Sequence, residues 1–227
     1  MLTIGMLGGM SWESSAEYYR LANTVVRERL GGLHSAKVVL HSVDFAEIER
    51  MQVEARWDDA AKALADAARL VQAGGADFLL ICTNTMHKVF DEVQAAVDIP
   101  VVHLGDTTAT AITQAGLTTV GLLGTGFTMD QPFYRERLEQ HGLTVLLPSP
   151  QDRATVHRII YDELCLGVVK DESRRAYQDV IGRFEGAQGV ILGCTEIELL
   201  ISQHDVPLPV FPTTRLHVEA AVARALA

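Results

Sequence analysis

Cysteine is scarce in this chain. There are three among 227 residues, at positions 82, 165 and 194, an odd count that excludes a closed disulfide framework. Basic residues are also in deficit: 19 Lys and Arg face 29 Asp and Glu, for a formal net charge of −10. That balance argues against general nucleic-acid binding, and an anionic ligand would rely on helix amino ends or a few local cations. No apolar run approaches the roughly 18 to 20 residues of a membrane span. The opening Met1-Leu2-Thr3-Ile4-Gly5 has no basic region of a signal peptide and reads directly as a strand. The histidines are scattered, with no zinc-site spacing. These absences lead us to expect a cytoplasmic protein with reduced, free thiols, no bound metal, and neither nucleic acid nor membrane as partner.

What is present is core. The chain is 48% hydrophobic and 21% charged, enough for one large domain or two small ones. Continuous apolar runs without alternation suit parallel strands covered on both faces. Such runs occur at 3–7, 36–41, 78–81, 99–103, 119–124 and 189–192. Helices are expected from Ser11, as cap, to about Arg29; from Asp58 to Gln72, stopped by Gly74-Gly75; and from about Thr85 to Ala96. Residues 44–54 read as a loop or short helix, 107–116 as a connecting helix, and 214–226 as the last helix.

The pattern repeats. Thr119-Val120-Gly121-Leu122-Leu123-Gly124-Thr125 echoes Thr3-Ile4-Gly5-Met6-Leu7-Gly8-Gly9. Cys194 follows Cys82, and Pro209-Val210 follows Pro100-Val101, at nearly the same offset. Three landmarks in one order indicate an internal duplication. The expected architecture is therefore α/β, with two pseudo-symmetric lobes, each a short parallel sheet flanked by helices, and a site between them at the carboxyl ends of the strands. The lobes would be 1–105 and 106–211, with 212–227 packing back on the first. A single doubly wound sheet is the alternative.

The chemistry centres on two strand ends, Cys82-Thr83-Asn84-Thr85 and Gly193-Cys194-Thr195-Glu196. Free cysteine is ordinarily a small core hydrophobe, and Cys165, read as mid-helix, takes that reading. Cys82 and Cys194 differ, because the amino end of a following helix favours a thiolate and would lower the pKa from about 8.5. Neither lies in a CxxC pair. Thr83, Asn84, Thr85, Thr195 and Glu196 are candidate helix caps, with Thr195 and Glu198 fitting a capping box. An amino end with free N–H groups is also a carboxylate site. Gly5-Met6-Leu7-Gly8-Gly9 lacks dinucleotide-fingerprint spacing and reads as a tight turn where a carboxylate approaches the backbone, with Thr125-Gly126-Phe127-Thr128 as its counterpart. His87 either tunes a thiolate or is a packed histidine; Glu196 is either an acid beside Cys194 or a partner of the helix dipole.

At these residues the chain resembles the aspartate/glutamate racemase family, along essentially its whole length. The resemblance rests on Gly5-Met6-Leu7-Gly8-Gly9-Met10-Ser11, on Cys82 with Asn84, Thr85 and His87, on Gly124-Thr125 with Thr128, and on Gly193-Cys194-Thr195-Glu196. It implies a racemase working without pyridoxal phosphate or any other cofactor, in which one thiolate removes the Cα proton and the other thiol protonates the opposite face. Cys82 and Cys194 would hold those roles on a dicarboxylic amino acid. Met10, Ser11, Gln52, Thr83, Asn84, Thr85, Thr125, Thr128, Thr195 and Glu196 would bind that substrate. Family analogy also implies a homodimer. One departure bears on the substrate: archaeal-type aspartate racemases carry lysine near Cys165 and arginine near Ile48, leaving Arg50, Gln52, Arg56 or Lys170 as substitutes here. Maleate cis–trans isomerisation with Cys82 as nucleophile, and a non-catalytic carboxylate-binding protein, are the competing expectations.

Overall fold

The computed structural model describes all residues, Met1 to Ala227. The chain forms two compact units: Met1–Leu104 with His217–Ala227, and Gly105–Leu216. Two separate sheets replace the alternative of a single doubly wound sheet.

In the first unit, β1 (Ile4–Gly8), β2 (Val38–Ser42), β3 (Phe78–Ile81) and β4 (Val101–Val102) form a four-stranded parallel sheet in the order β2-β1-β3-β4. Parallel neighbours need crossovers. These are α1 (Trp12–Leu30), α2 (Phe45–Val53) with α3 (Trp57–Ala73), and α4 (Phe90–Ala95), which follows a 3-10 turn at Thr85–Val89. The central strands β1 and β3 are buried on both faces, which explains their unalternating apolar sequences, whereas the edge strand β2 is half-buried to exposed. One face packs on α3 through Leu64, Ala68 and Val71. The other packs on α1 and on the last helix, α11 (Thr213–Leu226), through Tyr18, Val26, Val218 and Val222. Gly5 is glycine because a Cβ there would lie 2.7 Å from Val71 Cγ1 and 2.8 Å from the Phe78 carbonyl oxygen.

The second unit repeats the plan. The strands β5 (Thr119–Gly124), β6 (Thr144–Leu146), β7 (Gly189–Gly193) and β8 (Val210–Pro212) run parallel in the order β6-β5-β7-β8. The helices are α5 (Leu104–Gln114), α6 (Gly126–Asp130), α7 (Pro132–Glu139), α8 (Pro150–Asp162), α9 (Asp171–Gly182) and α10 (Ile197–Leu200). Gly121 stands where Gly5 stands in the repeat, and there a Cβ would meet the Phe184 ring at 2.6 Å.

One local expectation is overturned. Cys165 is not mid-helix and not fully buried. The α8 helix ends at Asp162, and Cys165 sits half-buried in a 3-10 turn, Leu164–Leu166, closed by left-handed Gly167.

Candidate active site

In the first unit, Cys82 directly follows β3, and its N–H continues the ladder to the Leu7 carbonyl at 2.9 Å. Its side chain is fully buried. The two carbonyls after it are held from elsewhere: Ser14 Oγ donates to Cys82 O (3.1 Å), and His87 Nδ1 lies 2.8 Å from Thr83 O. Asn84, Thr85 and His87 are buried in the 3-10 turn beyond. Gln52 reaches this turn from α2, donating Nε2–H to Met86 Sδ at 3.0 Å.

Ser11 caps α1 as expected, its Oγ accepting from Ser14 N. Met10 is different, because its side chain belongs to the apolar core with Ile48 and Met86. The turn is also less open to a carboxylate than expected: Gly9 N–H already donates to Ser15 Oγ at 2.7 Å. Its counterpart in the second unit is likewise taken, with Gly126 N–H donating to His157 Nδ1 at 3.0 Å.

In the second unit, Cys194 directly follows β7 and is half-buried. Its thiol donates to Glu196 Oε2 at 2.9 Å. Thr125 follows the end of the neighbouring strand β5, and Thr128 lies in α6 just beyond it. Thr125 caps α6 by accepting from Thr128 N, their hydroxyls are 3.2 Å apart, and a Cβ on Gly124 would touch both Gly193 O and Thr128. The predicted capping box gives way to a tertiary contact. Glu196 takes the cap position without a side-chain cap bond, the Thr195 hydroxyl meets that of Thr214 at 3.0 Å, and Glu198 accepts from Thr214 N.

The expected lowering of the thiol pKa is reversed. Burial pushes Cys82 up, and burial followed by the Glu196 charge pushes Cys194 well up. Desolvation outweighs these helix ends, which belong to a 3-10 turn and a four-residue helix, too short for a large dipole. Both thiols are therefore neutral near pH 7 before substrate arrives.

The cations considered for a substrate side chain are placed as follows. Arg56 pairs with Glu54 and Asp59 on the surface, Arg50 is exposed, and Lys170 lies 3.4 Å from buried Glu163. Ile48 is part of the apolar core. No group of three or more His, Cys, Asp or Glu is arranged to hold a metal ion, and no helix is long and apolar enough to cross a membrane. Sequence reasoning missed Ser14, Thr214 and His217. Their partners lie far along the chain, so no local signal marks them.

The family model for Asp/Glu/hydantoin racemases matches residues 7–221. A crystal structure from Yersinia pestis, provisionally described as an Asp/Glu racemase, is 51% identical over the whole of both chains, with a TM-score of 0.94. An aspartate racemase homologue from Pyrococcus horikoshii OT3 is 34% identical, also over the whole of both chains, with a TM-score of 0.90. The broad-specificity amino-acid racemase RacX of Bacillus subtilis is 22% identical across 176 residues, which span 75% of this chain and 74% of RacX.

Proposed function

The chain belongs to the Asp/Glu/hydantoin racemase family and is an amino-acid racemase; on that premise we propose that it inverts aspartate or glutamate at Cα using Cys82 and Cys194, with no cofactor. The observation that carries this reading is the equivalence of the two thiols. Each is the first residue after the strand at the same place in its sheet, β3 in order β2-β1-β3-β4 and β7 in order β6-β5-β7-β8.

Inversion needs a base on one face of Cα and an acid on the other. One sulfur, as thiolate, takes the Cα proton, and the electron pair is held by the flattened, carboxylate-stabilised carbon. The other sulfur, as thiol, gives its proton to the opposite face. The turnover leaves the protonation states exchanged and consumes nothing. Because both thiols start neutral, one must first lose a proton. The Cys194–Glu196 hydrogen bond supplies a route, with Glu196 as acceptor. The substrate ammonium then favours the thiolate so formed. Hydroxyl and amide donors at Ser11, Asn84, Thr85, Thr125, Thr128 and Thr195 suit the carboxylates, whose charge grows as Cα is deprotonated.

Proton NMR of L-aspartate and of L-glutamate in D₂O, with chiral analysis of the product, tests this. Loss of the Cα–H signal with inversion is expected for at least one of them. Cys82→Ala and Cys194→Ala should each abolish inversion, since a positioned acid or base is worth about 10²- to 10⁴-fold. Inversion that survives either substitution refutes the two-thiol mechanism, and exchange of neither amino acid refutes the substrate.

A further inference from the structure

The first unit holds three buried histidines, His87, His103 and His217, and the partners of His87 and His217 fix their tautomers. Leu104 N–H can only donate, so His87 Nε2, 3.1 Å away, is the acceptor. His87 Nδ1 therefore carries the proton and donates to Thr83 O at 2.8 Å. The ring stacks on Phe90 at 6.1 Å and meets His103 at 4.7 Å and His217 at 5.9 Å, edge to face. His217 is the reverse tautomer: Nε2–H donates to Val102 O at 2.9 Å, and Nδ1 accepts from Tyr18 OH at 3.0 Å. Leu104 and His217 are the residues at which the chain leaves and re-enters the first unit.

The consequence falls on the turn after β3. Three anchors orient the Cα–Cβ bond of Cys82: its own N–H on Leu7 O, its carbonyl under Ser14 Oγ, and the next carbonyl under His87 Nδ1. The second unit has no counterpart to this histidine. The residue five places after Cys194 is exposed Leu199, and the end of β7 is tied by threonines, Thr213 Oγ1 donating to Leu192 O and Thr195 meeting Thr214. The two thiols therefore stand on differently built supports.

We propose that His87 is a positioning residue for Cys82, holding the Thr83 carbonyl so that the Cys82 sulfur meets one face of the substrate carbon, and that it serves this half of the reaction alone. The inference rests on the two-thiol reading above. A misplacement of about 1 Å at a reacting group costs on the order of 10²-fold, so loss of this anchor is felt in rate more than in binding.

The test separates the half-reactions. A β-chlorinated acidic amino acid loses chloride after a single Cα deprotonation, so each enantiomer reports one base. The Cys82-dependent enantiomer is identified as the one whose elimination Cys82→Ala abolishes. On it, His87→Phe, which keeps the ring but neither hydrogen bond, should lower kcat by about ten- to a hundred-fold with KM little changed. On the other enantiomer it should act by less than about two-fold. His87→Gln, which can keep the Leu104 contact but not the Thr83 one, should behave like His87→Phe and serves if the latter does not fold. His87→Asn, whose amide can donate to Thr83 O, should recover most of the loss. Equal slowing of both enantiomers, or of neither, overturns the role of His87. If Cys82→Ala spares both eliminations, the two-thiol reading itself falls and this inference falls with it.

Discussion

The Cys194 thiol donates to Glu196 Oε2 across 2.9 Å, whereas the corresponding position two residues after Cys82 is Asn84, which carries no charge. The duplication has preserved the placement of the thiols and differentiated their proton chemistry. A negative charge beside a thiol opposes its ionisation while offering a destination for its proton. Both effects belong to one side chain, and one variant reports them through two readouts, the thiol's titration and the rate of racemisation.

Glu196→Gln removes the charge and the acceptor together. The Cys194 pKa is raised first by burial and next by the Glu196 charge, so the substitution should lower it. The thiolate should then appear at lower pH in an ultraviolet absorbance titration. Racemisation should nonetheless fall by about 10²-fold or more, because the proton acceptor is gone, and the pH–rate profile should move to lower pH. An unchanged profile would remove Glu196 from the proton path.

His217 is held neutral by burial, with its pKa lowered from the usual 6.5 to about 3. The sign follows from linkage. Below pH 6.5 the unfolded chain binds a proton at this site and the folded chain does not, so stability falls as the medium is acidified until about pH 3. Within that window the slope from this one group approaches about 1.4 kcal/mol per pH unit. His217→Gln keeps a donor for the Val102 carbonyl and removes the titration. Urea unfolding between pH 7 and pH 4 should show a shallower dependence for the variant, and parallel curves would contradict the assignment.

Glu163 behaves in the opposite sense. Ser173 Oγ donates to its carboxylate at 2.6 Å, and Lys170 and Arg158 lie at 3.4 and 3.6 Å. The serine hydrogen bond is the largest cause of its lowered pKa. The stability it confers is present above the unfolded-state pKa, near 4.3, and is lost as pH falls through the lower folded value. Ser173→Ala should cost about 1.5–3 kcal/mol at pH 7, as for a hydrogen bond to a charged group, and less at pH 3. Chemical denaturation at the two pH values checks this.

The elements legible in the sequence were those whose cause is local or repeated. The apolar runs 78–81 and 189–192 are strands because both sheet faces are covered, and the echo of Thr3–Gly9 at Thr119–Thr125 corresponds to two sheets of one strand order. Cys82 and Cys194 fall at strand ends for the same reason. What could not be read depends on partners distant in sequence. Thr214, 19 residues after Thr195, replaces the expected capping box, and Tyr18 meets His217 across a separation of 199. The direction of the thiol pKa shifts is not legible in the sequence, because it depends on how much protein covers each sulfur, which motif spacing does not encode. Cys165 departs from its expected mid-helix place because the left-handed Gly167 closes a 3-10 turn there.

Two glycines of positive φ, one after β1 and one after α1, separate the causes of strain. Gly9 has φ +91° and Gly31 has φ +75°, both in the region that favours glycine. A Cβ at Gly9 would overlap the backbone carbonyl and amide of Val43, whereas nothing lies within 4 Å of one at Gly31. Gly31→Ala should therefore cost only the conformational preference of its φ 75°, ψ −176° backbone, about 1–3 kcal/mol, and leave racemisation intact. Gly9→Ala adds a backbone collision that no rotamer relieves, for a total of about 2–4 kcal/mol. It should also displace the Ser15 Oγ acceptor of Gly9 N–H and the neighbouring Ser11 cap. Its activity should then fall even below the temperature at which it unfolds. Thermal unfolding of both variants, with rates measured well below each Tm, decides this: equal penalties would mean that the left-handed backbone alone requires glycine here, and a larger penalty with loss of rate at Gly9 would mean that the turn beside β1 is built around the missing side chain.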